Sequence, residues 1–488
     1  MASKGKYSPQ TERQRRRRKA IAMRFLFGFA CLGLCVGLFF GIRAAYRGIK
    51  GWVSSVMDDP LLETTTTAPT QMAASTTAPP TTEDEKARYA PILEQASRLA
   101  ASYDYDGAMA FLQSQGEYGR SSVLQEAYQD YLRIKTTLKK VDITEVYHVF
   151  FHSLIVDTEL AFADPADRDG YNQVMTTVSE FNAMMEQMYE RGFVLVKLHD
   201  MAYTNEAGEF VKGNIFLPEG KKPFVLSIDD VSYYEYMTGD GFATKILIGE
   251  DGYPTCEYKN RDGSVVTGDY DVVPLLESFI KQHPDFSYKG ARGCIALTGY
   301  EGILGYRTAP VYGNPADPDY KPAYASINVE EERAAATKVA ARMEALGWEF
   351  ASHSWGHINM GKVDIGWLEN DMTKWKNEVD SLLGNDTDIL IFAFGVDFGS
   401  WRPYSTDPNA AGYSPAYPIL KKMGFKYFCP VDSFNIPWVQ FDGGEGFLRQ
   451  GRVNLDGYEM YYKKDKCDIF FDTETVFDKS RPLPVPSY

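Results

Sequence analysis

The chain has 488 residues, 44% of them hydrophobic and 14% aromatic, which is more than one ordinary domain needs and enough for at least one large core. The net charge of −15 is unevenly divided. Residues 1–50 hold twelve Lys/Arg and one acid, leaving 39 Lys/Arg against 65 Asp/Glu, a net charge of −26, in the remainder. So acidic a remainder excludes nucleic acid as its partner.

Residues 1–19 form a basic tail that includes Arg13, Arg15, Arg16, Arg17, Arg18 and Lys19, and residues 20–42 form an apolar stretch of bilayer length. The stretch is predicted to be a transmembrane helix. It is long for a signal peptide, and no A-x-A site follows before Arg43, Arg47 and Lys50, so an uncleaved anchor is expected. More positive charge precedes the span than follows it, which places the N-terminus in the cytoplasm and the C-terminal domain outside a single-pass cell membrane protein. Cys31 and Cys35 fall inside the span; Cys256, Cys294, Cys429 and Cys467 fall in an oxidising space, with three pairings open and no CxxC spacing.

Residues 63–82 are almost entirely Thr, Ala, Pro and Ser, a composition expected to stay disordered as a stalk. From 83 to 140 the apolar spacing is helical: Ile92, Ala96 and Leu99 share one face, Ala108, Phe111 and Leu112 another, and Leu124, Tyr128 and Leu132 recur four apart. The segment resembles one tetratricopeptide-type hairpin. It reads as a spacer or a docking site for a protein partner, or as a helical extension packed on the main domain.

Beyond residue 145 short apolar runs alternate with helical segments and Gly turns, an α/β pattern of parallel strands in a barrel or an open sheet. The 232–272 stretch reads as an insertion of short strands. Two strand ends carry candidate chemistry. Asp229 and Asp230 end "LSIDDV", and His353 and His357, four apart, end "FASHSWGH". One carboxylate with two imidazoles suits a zinc-like divalent ion with open positions, and a neighbouring carboxylate can accept a proton from water. Tyr233, Tyr234 and Tyr236 could stack on sugar rings, or pack in the core.

Ser227-Ile228-Asp229-Asp230-Val231 and His353-Ser354-Trp355-Gly356-His357 resemble the first two motifs of the polysaccharide deacetylase family, T-F-D-D-G and H-[ST]-x-x-H. The flanking strands and helices are similar from about 145 to 440. The resemblance implies an irregular (β/α) barrel of fewer than eight strands over 145–488, and a metal-dependent de-N-acetylase of a cell-wall or surface polysaccharide. It further implies Asp229 as general base, Asp230, His353 and His357 as ligands of one divalent ion, zinc, and Phe394 as the oxyanion donor. At the third motif, R-x-P-[YF]-G, Ile391 stands where an arginine orients the base and Ala393 where the proline stands. No histidine follows His357 to protonate the leaving amine, so Asp397 or Asp432 would have to substitute. These two absences keep a second reading open, a non-catalytic glycan-binding or scaffold protein; the intact Asp229 favours hydrolysis. "YRTAPVYG" (306–313) imitates the third motif but precedes the second, so it reads as a loop. His148, His152 and His199 read as structural, and His283 is assigned no role.

Overall fold

The computed structural model describes residues 82–432 and 436–487. The predicted basic tail, membrane span and nearly all of the stalk lie outside them. Among the described residues no helix is long and apolar enough to cross a membrane.

The described chain begins with four helices, α1 (Thr82–Arg88), α2 (Ala90–Ala101), α3 (Tyr105–Ser114) and α4 (Ser122–Thr137). Side chains set their limits: Asp104 caps α3 by accepting from Gly107 N–H at 3.1 Å, and Ser121 caps α4 through Leu124 N–H. Ala96, Leu112 and Leu124 close a small core between them. Tyr103, at the α2–α3 turn, docks this unit on the rest: its hydroxyl donates to Asp285 O at 2.8 Å and its ring stacks on Tyr288.

The rest of the described chain is mixed α/β around one curled sheet. Its strands are β1 (Tyr147–Phe151), β2 (Phe193–Leu195), β3 (Lys222–Ile228), β4 (Cys294–Leu297), β5 (Glu349–Ser352), β6 (Ile389–Ile391), β7 (Tyr427–Cys429), β8 (Val439–Asp442), β9 (Phe447–Gln450) and β10 (Val453–Asn454). β1, β3, β4, β5, β6 and β7 pair in parallel in that order, with β2 beside the start of β3 and β8 antiparallel to β9. β9 pairs with β7, and three residues further on β10 pairs with β1. One nearly continuous strand therefore joins the two ends of the curl.

Alternation along β3 shows how the sheet divides its surroundings. Phe224, Leu226 and Ile228 belong to the large core shared with the helices, whereas Val225 belongs to a second core inside the curl, with Cys294, Ala296, Ala351, Ile391 and Cys429. Helix α5 (Val329–Leu346) covers the outer face and ends at Gly347, whose φ of 107° and close approach to Gly290 O leave no room for a side chain. The three antiparallel strands Ala243–Ile248, Pro254–Lys259 and Val265–Gly268 form a separate small sheet within the 232–272 stretch. Cys256, Cys294, Cys429 and Cys467 are all buried and free.

Candidate metal centre

The candidate site lies at the carboxyl ends of β1, β3, β5 and β6, the end where loops of parallel α/β sheets carry chemistry. Asp229 and Asp230 immediately follow β3. In an extended strand two successive side chains would point to opposite faces, but Asp230 has a left-handed φ of 61° that breaks the alternation. That conformation costs about 1–2 kcal/mol in a non-glycine residue. Tyr233 (47°), Ser354 (61°), His357 (52°) and Phe394 (59°) share it, so most of the non-glycine left-handed residues cluster here, as strained backbone does at functional sites.

His353 follows β5 and donates from Nδ1 to Ile391 O at 2.8 Å, which leaves Nε2 as its candidate ligand atom. The loop to His357 is clamped by Asp371, whose carboxylate accepts from the backbone N–H groups of Trp355 (2.7 Å) and Gly356 (2.9 Å). Asp371 carried no signal in the sequence beyond an acid on an amphipathic helix, here α6 (Ile365–Glu378).

Asp230, His353 and His357 can each offer a ligand atom within 4.8 Å of the others. Bond lengths of about 2.0–2.2 Å put tetrahedral ligand atoms roughly 3.4 Å apart, and His357 Nε2 lies 3.6 Å from Asp230 Oδ2. The donor set fits a divalent ion. Burial raises the Asp230 pKa, but His357, His353 and His152 and the Tyr234 hydroxyl outweigh it and hold the group at about 2. Burial and the neighbouring His353 lower the His357 pKa against the pull of Asp230, which favours the neutral form that can ligate. Tyr234 supports the carboxylate by donating to Asp230 Oδ1 at 2.5 Å.

Asp229 is 3% exposed and turns Oδ2 to within 3.9 Å of His353 Nε2. Its other oxygen accepts from Arg452, immediately before β10, at 2.7 Å. Phe394 stands at the rim, 64% exposed, with its ring 4.5 Å from that of His357.

Two sequence assignments find different surroundings. Asp397 is gripped by Arg449 (2.6 Å), Tyr404 (2.7 Å) and Gly399 N–H (2.6 Å), and none of these partners belongs to the metal group. These three partners hold the carboxylate in place. Tyr233 is 3% exposed and donates to Asp271 at 2.7 Å inside the core, so it offers no face to a sugar. The aromatic face lies further along: Tyr236, 54% exposed, stacks on Tyr234, which stacks on Tyr300. Asp432 is half-buried just after β7. The 306–313 loop has a positioning task, since Arg307 donates to Ser232 O and Tyr233 O.

His152 stands close to the candidate ligands. On β1, His148 points into the curl and Phe150 lies under the Arg452 guanidinium, so alternation brings His152 to the mouth. Its Nδ1 meets Val174 O at 3.1 Å, and it is an electrostatic neighbour of both Asp230 and His357. The only signal in the sequence was its spacing of four from His148. His199 and His283 lie elsewhere, His199 between Glu349 and Asp388 and His283 against Tyr189 and Phe279.

No family model matches the chain, and neither does any curated protein. A solved structure of the Streptococcus pyogenes deacetylase PplD in complex with acetate matches 65% of this chain and 93% of its own, at 12% identity and a TM-score of 0.33. At that distance, function has to come from the site itself.

Proposed function

We propose that the chain is a metal-dependent hydrolase that removes N-acetyl groups from an extracellular glycan. The observation that carries this reading is Asp229, a buried carboxylate held beside, and not within, a three-ligand metal group. A divalent ion bound there, zinc in this reading, supplies the positive charge that acidifies a water and polarises an amide carbonyl. The chain's own residues do the rest. Asp229 accepts a proton as the water oxygen bonds to the acetamide carbon, and the Phe394 N–H stabilises the carbonyl oxygen as it gains charge. The C–N bond then breaks, and His152 delivers a proton to the departing nitrogen, leaving acetate and a free amine. The arginine beside Asp229 and the histidine at the mouth support this reading over the non-catalytic alternative.

The test is acetate release from chitin oligomers and peptidoglycan by the purified, zinc-supplied full chain, alongside metal analysis. About one ion per chain is expected, lost in His353→Ala and His357→Ala but kept in Asp229→Asn, which should release no acetate. A metal-loaded chain that binds an N-acetylated glycan but never cleaves it would restore the non-catalytic alternative.

A further inference from the structure

Asp229 is 3% exposed, and a carboxylate so buried is costly without a positive partner. Position 391, where the motif would place an arginine, is a buried isoleucine. The charge comes instead from Arg452, which is 0% exposed. Its Nη1 donates to Asp229 Oδ1 at 2.7 Å and Ser227 Oγ at 3.3 Å, its Nε donates to Cys429 O at 3.2 Å, and its guanidinium lies 4.1 Å from the Phe150 ring centroid.

Behind this pair runs a buried chain of hydrogen bonds. Gln450 donates from Nε2 to Val146 O at 2.9 Å, so its Oε1 accepts, and His148 Nδ1 donates to it at 3.1 Å. In the neutral ring His148 Nε2 accepts, and Ser227 Oγ–H donates to it at 2.9 Å, leaving the Ser227 lone pairs to receive Arg452. Burial and the Arg452 charge both favour the neutral His148. The backbone of Arg452 is tied to the end of β7 as well, its N–H donating to Pro430 O at 2.8 Å.

We infer that Arg452 is the positioning residue of Asp229: carried on the strand that joins the two ends of the sheet, it holds Oδ1 and so turns Oδ2 toward the mouth. Ser227, His148 and Gln450 fix the guanidinium in turn. The inference rests on the hydrolytic reading of the site.

The experiment compares Arg452→Met, Arg452→Lys and Ser227→Ala with wild type in the zinc-supplied full chain, reading acetate release from a chitin oligomer, zinc content and thermal unfolding. Arg452→Met should lower kcat about 100-fold, the cost of a misplaced reacting group, with KM and zinc content within about twofold of wild type. Arg452→Lys should recover part of that loss, and Ser227→Ala should lose about threefold to tenfold. In unfolding, Asp229→Asn should restore stability to Arg452→Met by removing the stranded buried charge. The inference is overturned by wild-type kcat in Arg452→Met, by a loss confined to KM or zinc, or by no coupling in that cycle. Should Arg452→Met not fold, unchanged kcat in both Arg452→Lys and Ser227→Ala overturns it. A wild type that releases no acetate refutes the hydrolytic reading instead, while the unfolding cycle still reports on the pair.

Discussion

Asp229 and Asp230 are neighbours of identical chemistry that the fold gives different tasks. Asp229 lies in line with β3 and meets an arginine below; Asp230, turned by its left-handed backbone, meets two imidazoles and a tyrosine hydroxyl. The same logic separates His148 from His152, four residues apart on one inward row. His148 is sealed between Gln450 and Ser227, whereas His152 is half-buried at the mouth with one ring nitrogen engaged by Val174. His152→Gln should therefore lower kcat about 10²–10⁴-fold, the usual loss for a missing general acid, and leave about one ion per chain. Steady-state rates with metal analysis check this. Loss of the ion together with the rate would mean that His152 supports the metal group instead.

At the scale of elements, the sheet is tied at both ends by different chemistry. At the carboxyl end β10 delivers Arg452. At the opposite end His199, in the turn after β2, bridges Glu349 at the start of β5 (2.5 Å) and Asp388 just before β6 (3.0 Å). Lys426 (3.8 Å) also faces Asp388, the Tyr427 ring packs on His199, and Asp200 lies in the same turn. Burial lowers the His199 pKa, but Glu349 and Asp388 outweigh it and raise the group to about 10. Because the folded value exceeds the unfolded 6.5, the stabilisation is complete below about pH 6.5 and is lost as pH rises toward 10. The ring is 44% exposed, so solvent screens the pair and the effect is smaller than for a sealed bridge. His199→Gln should lower Tm at pH 6, with the deficit shrinking by pH 9.5. A deficit independent of pH would assign His199 a packing role only.

For the whole molecule, the uneven charge is the main guide to placement. Twelve Lys/Arg in residues 1–50 face a remainder of net charge −26, from which the positive-inside bias predicts an acidic domain outside the cell. Protease added to intact cells should shed that domain. Protection until the membrane is opened would invert the topology. Some of the fold was legible because its signals are local: parallel strands buried on both faces read as continuous apolar runs, and Gly347 marks a helix end before β5. Asp230, His353 and His357 were legible as a ligand set because metal chemistry restricts residue type and each sits at the end of such a run. What the sequence could not decide is which distant side chains meet. Arg452 and Asp229 are 223 residues apart and touch because β9 and β10 bridge β7 and β1, a pairing set by how far the sheet curls. Asp397 and Tyr233 have suitable chemistry in the sequence, yet Arg449 and Asp271 claim them, since a buried polar group takes whichever partner the packing brings within reach. Residue type and spacing determined the available chemistry; closure of the sheet decided which groups share the mouth.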